Sequence, residues 1–319
     1  MFIKRLTNPP LPQHTSQSWE KIGIFKNFFY KKCPYAPAVI GLQYDKREID
    51  QRNRQEGVFM MKRGKIYRNM ILVWMMLGGF LFAVEIQNLS QAVDVAGKQR
   101  MYTQRMLKDY AMIGLQNKFG NPQADLKKIV SDFENHLDSL IAFNKDPKTA
   151  QSLEKVKKMW EPIKKALNEA PSKEKAGKMQ EDLEALLKQS NEAVGLFAKQ
   201  TGKESGEIIN ISGRQRMLSQ RMASLYMLKV WGVDDPQFKE KMDKSMKLFK
   251  ESLEKLKQSK MNTPEITALL QKAERSFTFF EIMNKSKSKF IPALIYKKSN
   301  DILKDMNTAT GLYAAQESK

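Results

Sequence analysis

From Glu85 onward, apolar residues recur three and four positions apart with charged residues between them, the period of helices that bury one face. Proline interrupts this pattern at Pro122, Pro147 and Pro171, and again at Pro236, Pro264 and Pro292. Because it lacks an N–H and clashes with the preceding turn, proline ends or opens helices. The corners predict helices over about 86–119, 123–145, 148–169 and 172–200, then over 206–231, 236–260, 264–290 and 292–316. Pro162 falls inside the third of these and is expected to kink it. Short loops between such helices favour up-and-down packing. The fold class is therefore all-α: two tandem antiparallel four-helix bundles, at 85–201 and 202–319.

The two halves also repeat in sequence. Ala96-Gly97-Lys98-Gln99-Arg100-Met101-Tyr102-Thr103-Gln104-Arg105-Met106 returns as Ser212-Gly213-Arg214-Gln215-Arg216-Met217-Leu218-Ser219-Gln220-Arg221-Met222, 116 residues later, with seven of eleven positions identical. Phe133, Leu137 and Leu140 return as Phe249, Leu253 and Leu256 at the same offset. A heptad laid along the first helix puts Val93, Ala96, Arg100, Thr103, Leu107 and Tyr110 on its seam; the second copy gives Ile209, Ser212, Arg216, Ser219, Ala223 and Tyr226. An arginine thus faces the core in both copies, between small neighbours, and Gln104 and Gln220 share its face four residues on.

A buried guanidinium needs a partner, because an unpaired charge in an apolar interior costs several kcal/mol. Nearby acids do not repeat with it: Asp94 becomes Asn210 and Asp109 becomes Leu225. Three partners fit the pattern. One is a small anion held by the planar fork; another is a carboxylate from a different helix. The third is water reached by a snorkelling side chain.

Upstream, a basic stretch from Lys62 to Arg68 precedes an apolar run from Met70 to Val84. Fifteen helical residues span about 22 Å, short of the roughly 30 Å hydrocarbon core, so 60–84 reads as a signal peptide or a signal anchor. Residues 1–59 read as an unstructured leader, with translation expected to begin at Met60 or Met61. Net charge is +20 in 319 residues, but residues 1–69 carry 14 basic and 5 acidic side chains. The rest shows no concentrated basic stripe, and with export expected, nucleic acid is excluded as a partner. One cysteine and two histidines are too few for disulfide frameworks or Cys/His zinc sites, and no Gly-rich phosphate loop is present. No metal and no cofactor is expected. The methionine pairs Met101/Met106 and Met217/Met222 lie on different helix faces and read as core filling. His136, among Asp132, Glu134 and Asp138, reads as a surface residue, and Trp160 and Trp231 as packing residues.

The Ala/Ser-Gly-x-x-Arg-Met-x-x-x-Arg pattern resembles the signature helix of the sensory domain shared by PilJ-type pilus chemoreceptors and NarX-type nitrate/nitrite sensor kinases. The resemblance covers both bundles. In the nitrate sensors the arginine before methionine grips the anion at a two-fold helix interface, a role that carries to Arg100 and Arg216. Gly97 and Gly213 match the family's close-packing glycine, and Arg105 and Arg221 its later arginine. With Gln104 and Gln220 these form the expected ligand-binding set. The resemblance implies an exported, non-enzymatic protein that recognises a nitrate- or nitrite-like anion. It would sit in the periplasm, or be anchored to the inner membrane facing it, alone or as a homodimer. Family members continue into a second membrane helix and a signalling domain, whereas this chain stops at Lys319, so a separate membrane sensor kinase or chemoreceptor is the expected signalling partner. The competing expectation is a structural or protein-interaction module of the cell envelope without a small ligand.

Overall fold

A computed structural model describes residues 85–285 and 291–316. The expected leader at 1–59 and signal segment at 60–84 lie outside the described residues. Eight helices are described: α1 (Leu89–Gly114), α2 (Pro122–Phe143), α3 (Pro147–Leu167) and α4 (Lys173–Gln200), then α5 (Glu204–Trp231), α6 (Phe238–Lys257), α7 (Pro264–Lys285) and α8 (Pro292–Gln316). The all-α expectation holds. No helix among the described residues is long and apolar enough to cross a membrane.

Local chemistry explains the boundaries. Four of the six corner prolines are the first residue of a helix, where a missing N–H costs nothing. The preceding residue often supplies the cap. Asn121 Oδ1 accepts from Ala124 N–H at 3.3 Å, Asp146 Oδ2 from Thr149 N–H at 2.8 Å, and Thr263 Oγ1 from Ile266 N–H at 3.2 Å. α4 does not run on into α5: Gly202 adopts a left-handed φ of 62° and breaks the chain between them. Helix α1 stops at Gly114, five residues before its expected end, and Gln116 just beyond has a positive φ of 55°. Through Pro162, α3 continues unbroken to Leu167.

Each repeat closes as a ring of four helices, α1 to α4 and α5 to α8. The outer part of each core is built around an aromatic pair, Phe133 with Trp160 and Phe249 with Phe277, ring centroids 4.4 Å apart in both. The described residues form one compact unit because the rings share a wall. The most extensive packing in the molecule is α1 on α5, flanked by α4 and α8. The two motif helices run in the same direction, with Gly97 beside Gly213 and Gly114 against the Trp231 indole. Sandwiched in this way, α1 buries 19 of its 26 residues and has almost no solvent face.

Candidate functional site at the repeat interface

The shared wall gathers the motif residues. Arg100 and Arg216 are both fully buried. A Cβ built on Gly97 would stand 2.9 Å from Arg216 Nη2 and 3.5 Å from Arg100 Nη2; on Gly213 the distances are 3.0 and 3.3 Å. The two guanidiniums therefore converge on one spot, and glycine is present because a methyl group there would collide with them. The motif glutamines brace the wall from behind. Gln99 Nε2 donates to the Phe133 carbonyl at 3.0 Å and Gln215 Nε2 to the Phe249 carbonyl at 3.1 Å.

Each arginine reaches across to the other repeat, and the two sets of partners are related by the 116-residue offset. Arg216 Nη1 donates to Asp94 Oδ1 at 2.7 Å and Asn307 Oδ1 at 3.0 Å, and Nη2 to the Asp94 carbonyl at 3.1 Å. Arg100 Nη1 donates to Asn210 Oδ1 and Asn191 Oδ1, both at 2.8 Å, and Nη2 to the Asn210 carbonyl at 3.1 Å. The geometry is duplicated but the charge is not. Asp94 neutralises Arg216; burial pushes the Asp94 carboxyl up, but Arg216 and Lys98 outweigh it and hold the pKa below the usual carboxylate range. Among the described residues Arg100 has only neutral acceptors, and burial together with the Arg214 and Arg216 charges pushes it down to about 9. Neither Nε has an acceptor among the described residues. The wall thus answers the sequence question differently for each copy: a carboxylate from another helix serves Arg216, while Arg100 carries an uncompensated positive charge.

The other expected residues distribute as follows. Gln104 and Gln220 lie in the same wall but face a different cluster. Gln104 Oε1 accepts from Ser224 Oγ at 3.3 Å, and Gln220 Oε1 accepts from Lys108 Nζ at 2.7 Å. Arg105 and Arg221 point outward, Arg105 Nε to Asp125 at 2.9 Å and Arg221 Nη1 to Glu184 at 2.7 Å, so neither joins the central pair. His136 corrects the surface expectation: it is 9 % exposed, its ring 5.5 Å from that of Tyr102. It lies next to the Leu137 face of α2, on the side covered by α1.

Sequence reasoning passed over a second polar cluster in the wall. Lys108 is fully buried, donates to Gln220 and to Asn300 Oδ1 (2.6 Å), and stands 4.0 Å over the Tyr296 ring. Burial pushes its ammonium down to about 8. Beside it, burial pushes the Asp109 carboxyl well above the usual range, against the pull of Lys108, and the charge and hydrogen bond of the neighbouring Asp125 raise it further. The signal was available: Lys108 and Asp109 become Ser224 and Leu225, so both charges disappear together in the second copy.

A protein-family model described as "Type IV pili methyl-accepting chemotaxis transducer N-term" matches residues 84–193 and 197–275. No curated protein and no solved structure matches the chain.

Proposed function

Since the chain belongs to the family of type IV pili methyl-accepting chemotaxis transducer N-terminal domains, we propose that it is a sensory module that receives a small oxyanion, of the nitrate and nitrite class, between Arg100 and Arg216. The observation that carries this reading is Arg100: a fully buried guanidinium with neutral acceptors only, beside a second arginine. An oxyanion exchanges a neutral acceptor for a charged one, and charge-assisted bonds are roughly twice as strong as neutral ones. In the nitrate sensors that the motif resembles, two subunits each contribute one such helix. Here duplication brings both helices into one chain, so a homodimer is not needed to complete the site.

On this reading the protein is not an enzyme and binds no cofactor. It acts through a separate membrane sensor kinase or chemoreceptor, with the bundles on the periplasmic side. Support for export is the basic and apolar order of residues 62–84. Population of the bound state would change how firmly α1 and α5 are clamped, and that wall is what a signalling partner would read.

Thermal unfolding in nitrate, nitrite, sulfate, formate and chloride at fixed ionic strength tests the reading. A ligand at a hundred times its dissociation constant adds about 2.7 kcal/mol, a rise of roughly 5–10 °C for a domain of this size. Arg100→Ala and Arg216→Ala are each expected to abolish the specific rise. Equal melting in all five salts contradicts the anion reading and leaves the arginines as struts of the wall.

A further inference from the structure

We propose that the groove between α1, α2 and α8 is a second ligand site, distinct from the arginine pair, that takes a small organic carboxylate with an apolar ring. The groove has a volume of about 420 Å³ and, among the described residues, no acidic residue lines it. That volume lies in the range of small-molecule pockets, about 300–1,000 Å³, and a nitrate-sized ion would underfill it.

Its polar rim is made of donors. Lys98, Arg105 and Lys304 supply three cations, of which Lys98 is already paired with Asp94 at 3.0 Å. Asn300 and Asn307 also line it, and their oxygens are committed to the buried cations Lys108 (2.6 Å) and Arg216 (3.0 Å). The Asn307 amide held in that orientation turns its two N–H donors the other way, while the Asn300 amide also hydrogen-bonds the Tyr296 phenol. Arg105 engages Asp125 through Nε and Nη2, which leaves the Nη1 edge for an incoming acceptor. Below the rim lie the rings of Tyr102 and His136. Burial, and then Lys98, push His136 down to about 4, so near neutral pH this floor is an uncharged aromatic surface.

The opposite flank shows what belongs in the groove. At the 116-residue offset Arg105 becomes Arg221, Asn300 becomes Glu184 and Lys304 becomes Lys188. There Glu184 Oε2 accepts from Arg221 Nη1 at 2.7 Å. The second copy thus carries its own carboxylate against the same guanidinium nitrogen that Arg105 leaves available. The rings are missing on that flank, where Tyr102 becomes Leu218 and His136 becomes Ser252. One flank is closed by an internal acid. The other keeps the cations, meets its arginine with Asp125 on the Nε–Nη2 edge, leaves Nη1 without a carboxylate among the described residues, and adds an aromatic floor.

Calorimetric titration of the full chain with sodium benzoate tests this, with acetate and nitrate as comparison ligands. The expected result is one saturable benzoate site per chain, weaker binding of acetate, and no competition from nitrate. Lys304→Glu, an exposed charge reversal, should weaken benzoate by about tenfold or more, while Lys188→Glu on the closed flank should change it less than about twofold. Absence of a saturable benzoate site overturns the proposal, as does equal weakening by both lysine variants. Displacement of benzoate by nitrate also overturns it, since that would put benzoate at the arginine pair. Benzoate binding that persists when nitrate fails to bind leaves this site standing without the anion reading.

Discussion

Asp94 and Asn210 occupy the same place in the two copies, differ by one atom type, and decide which arginine is neutralised. Replacing Asp94 by Asn should leave both guanidiniums buried without a counter-charge and cost about 3 kcal/mol in chemical denaturation; a cost near zero would mean that water already screens Arg216. A second residue-scale outcome concerns Lys108, whose ammonium titrates at about 8 when folded against 10.5 when unfolded. Between those values the unfolded chain holds the extra proton, so this lysine makes stability rise with pH, by about 2 kcal/mol across the window. Denaturation at pH 8 and pH 10 should show a rise in the wild type that Lys108→Met reduces by about 2 kcal/mol, leaving the part that Arg100 contributes in the same direction. An unchanged rise in the variant would assign it to other groups. At this scale the sequence named the arginines and the glycines, because both repeat at the same offset. It left Arg216's partner open because that partner, Asp94, comes from the other copy, and a difference between copies was read as a loss instead of a contact.

At the scale of the element, a heptad seam describes a helix with one buried face, and α1 and α5 are not such helices. Each is enclosed by its own ring and by the other motif helix, so residues off the seam, Lys108 and Gln99 among them, are buried too. Periodicity therefore found the helices and missed half of what they bury. Helix ends were legible where proline or an Asn, Asp or Thr cap wrote them. The end of α1 was not, since Gly114 is fixed by a tertiary contact: a Cβ there would lie 2.1 Å from the Trp231 indole, itself packed edge-on to Tyr110 at 6.0 Å. Gly114→Ala should accordingly cost about 1–3 kcal/mol by overpacking, and Trp231→Leu in the same chain should recover part of it. A Gly114→Ala protein that melts with the wild type would show that the indole swings aside freely.

For the whole molecule, the repeat predicted two bundles, and their shared wall makes them one unit whose centre is polar and charged. Acid should act on that unit through His136, which stays neutral down to about 4 when folded but protonates at 6.5 when unfolded. Stability should fall as pH drops across that window, by up to about 3 kcal/mol, because the unfolded chain binds the proton first. Melting His136→Gln beside the wild type from pH 7 to pH 4 checks it: the variant should show a shallower fall, and parallel curves would exclude His136 as the source. The central claim, that Arg100 is an uncompensated charge awaiting an anion, is tested most directly by Asn210→Asp. The carboxylate would stand where an Asn oxygen already lies 2.8 Å from Arg100 Nη1, copying the Asp94 arrangement on the other side. Melting both proteins across a nitrate titration against chloride at equal ionic strength, the account predicts a variant that is more stable without nitrate and no longer responds to it, beside a wild type that rises and saturates. A variant no more stable than the wild type, or one that keeps the full nitrate response, would contradict it.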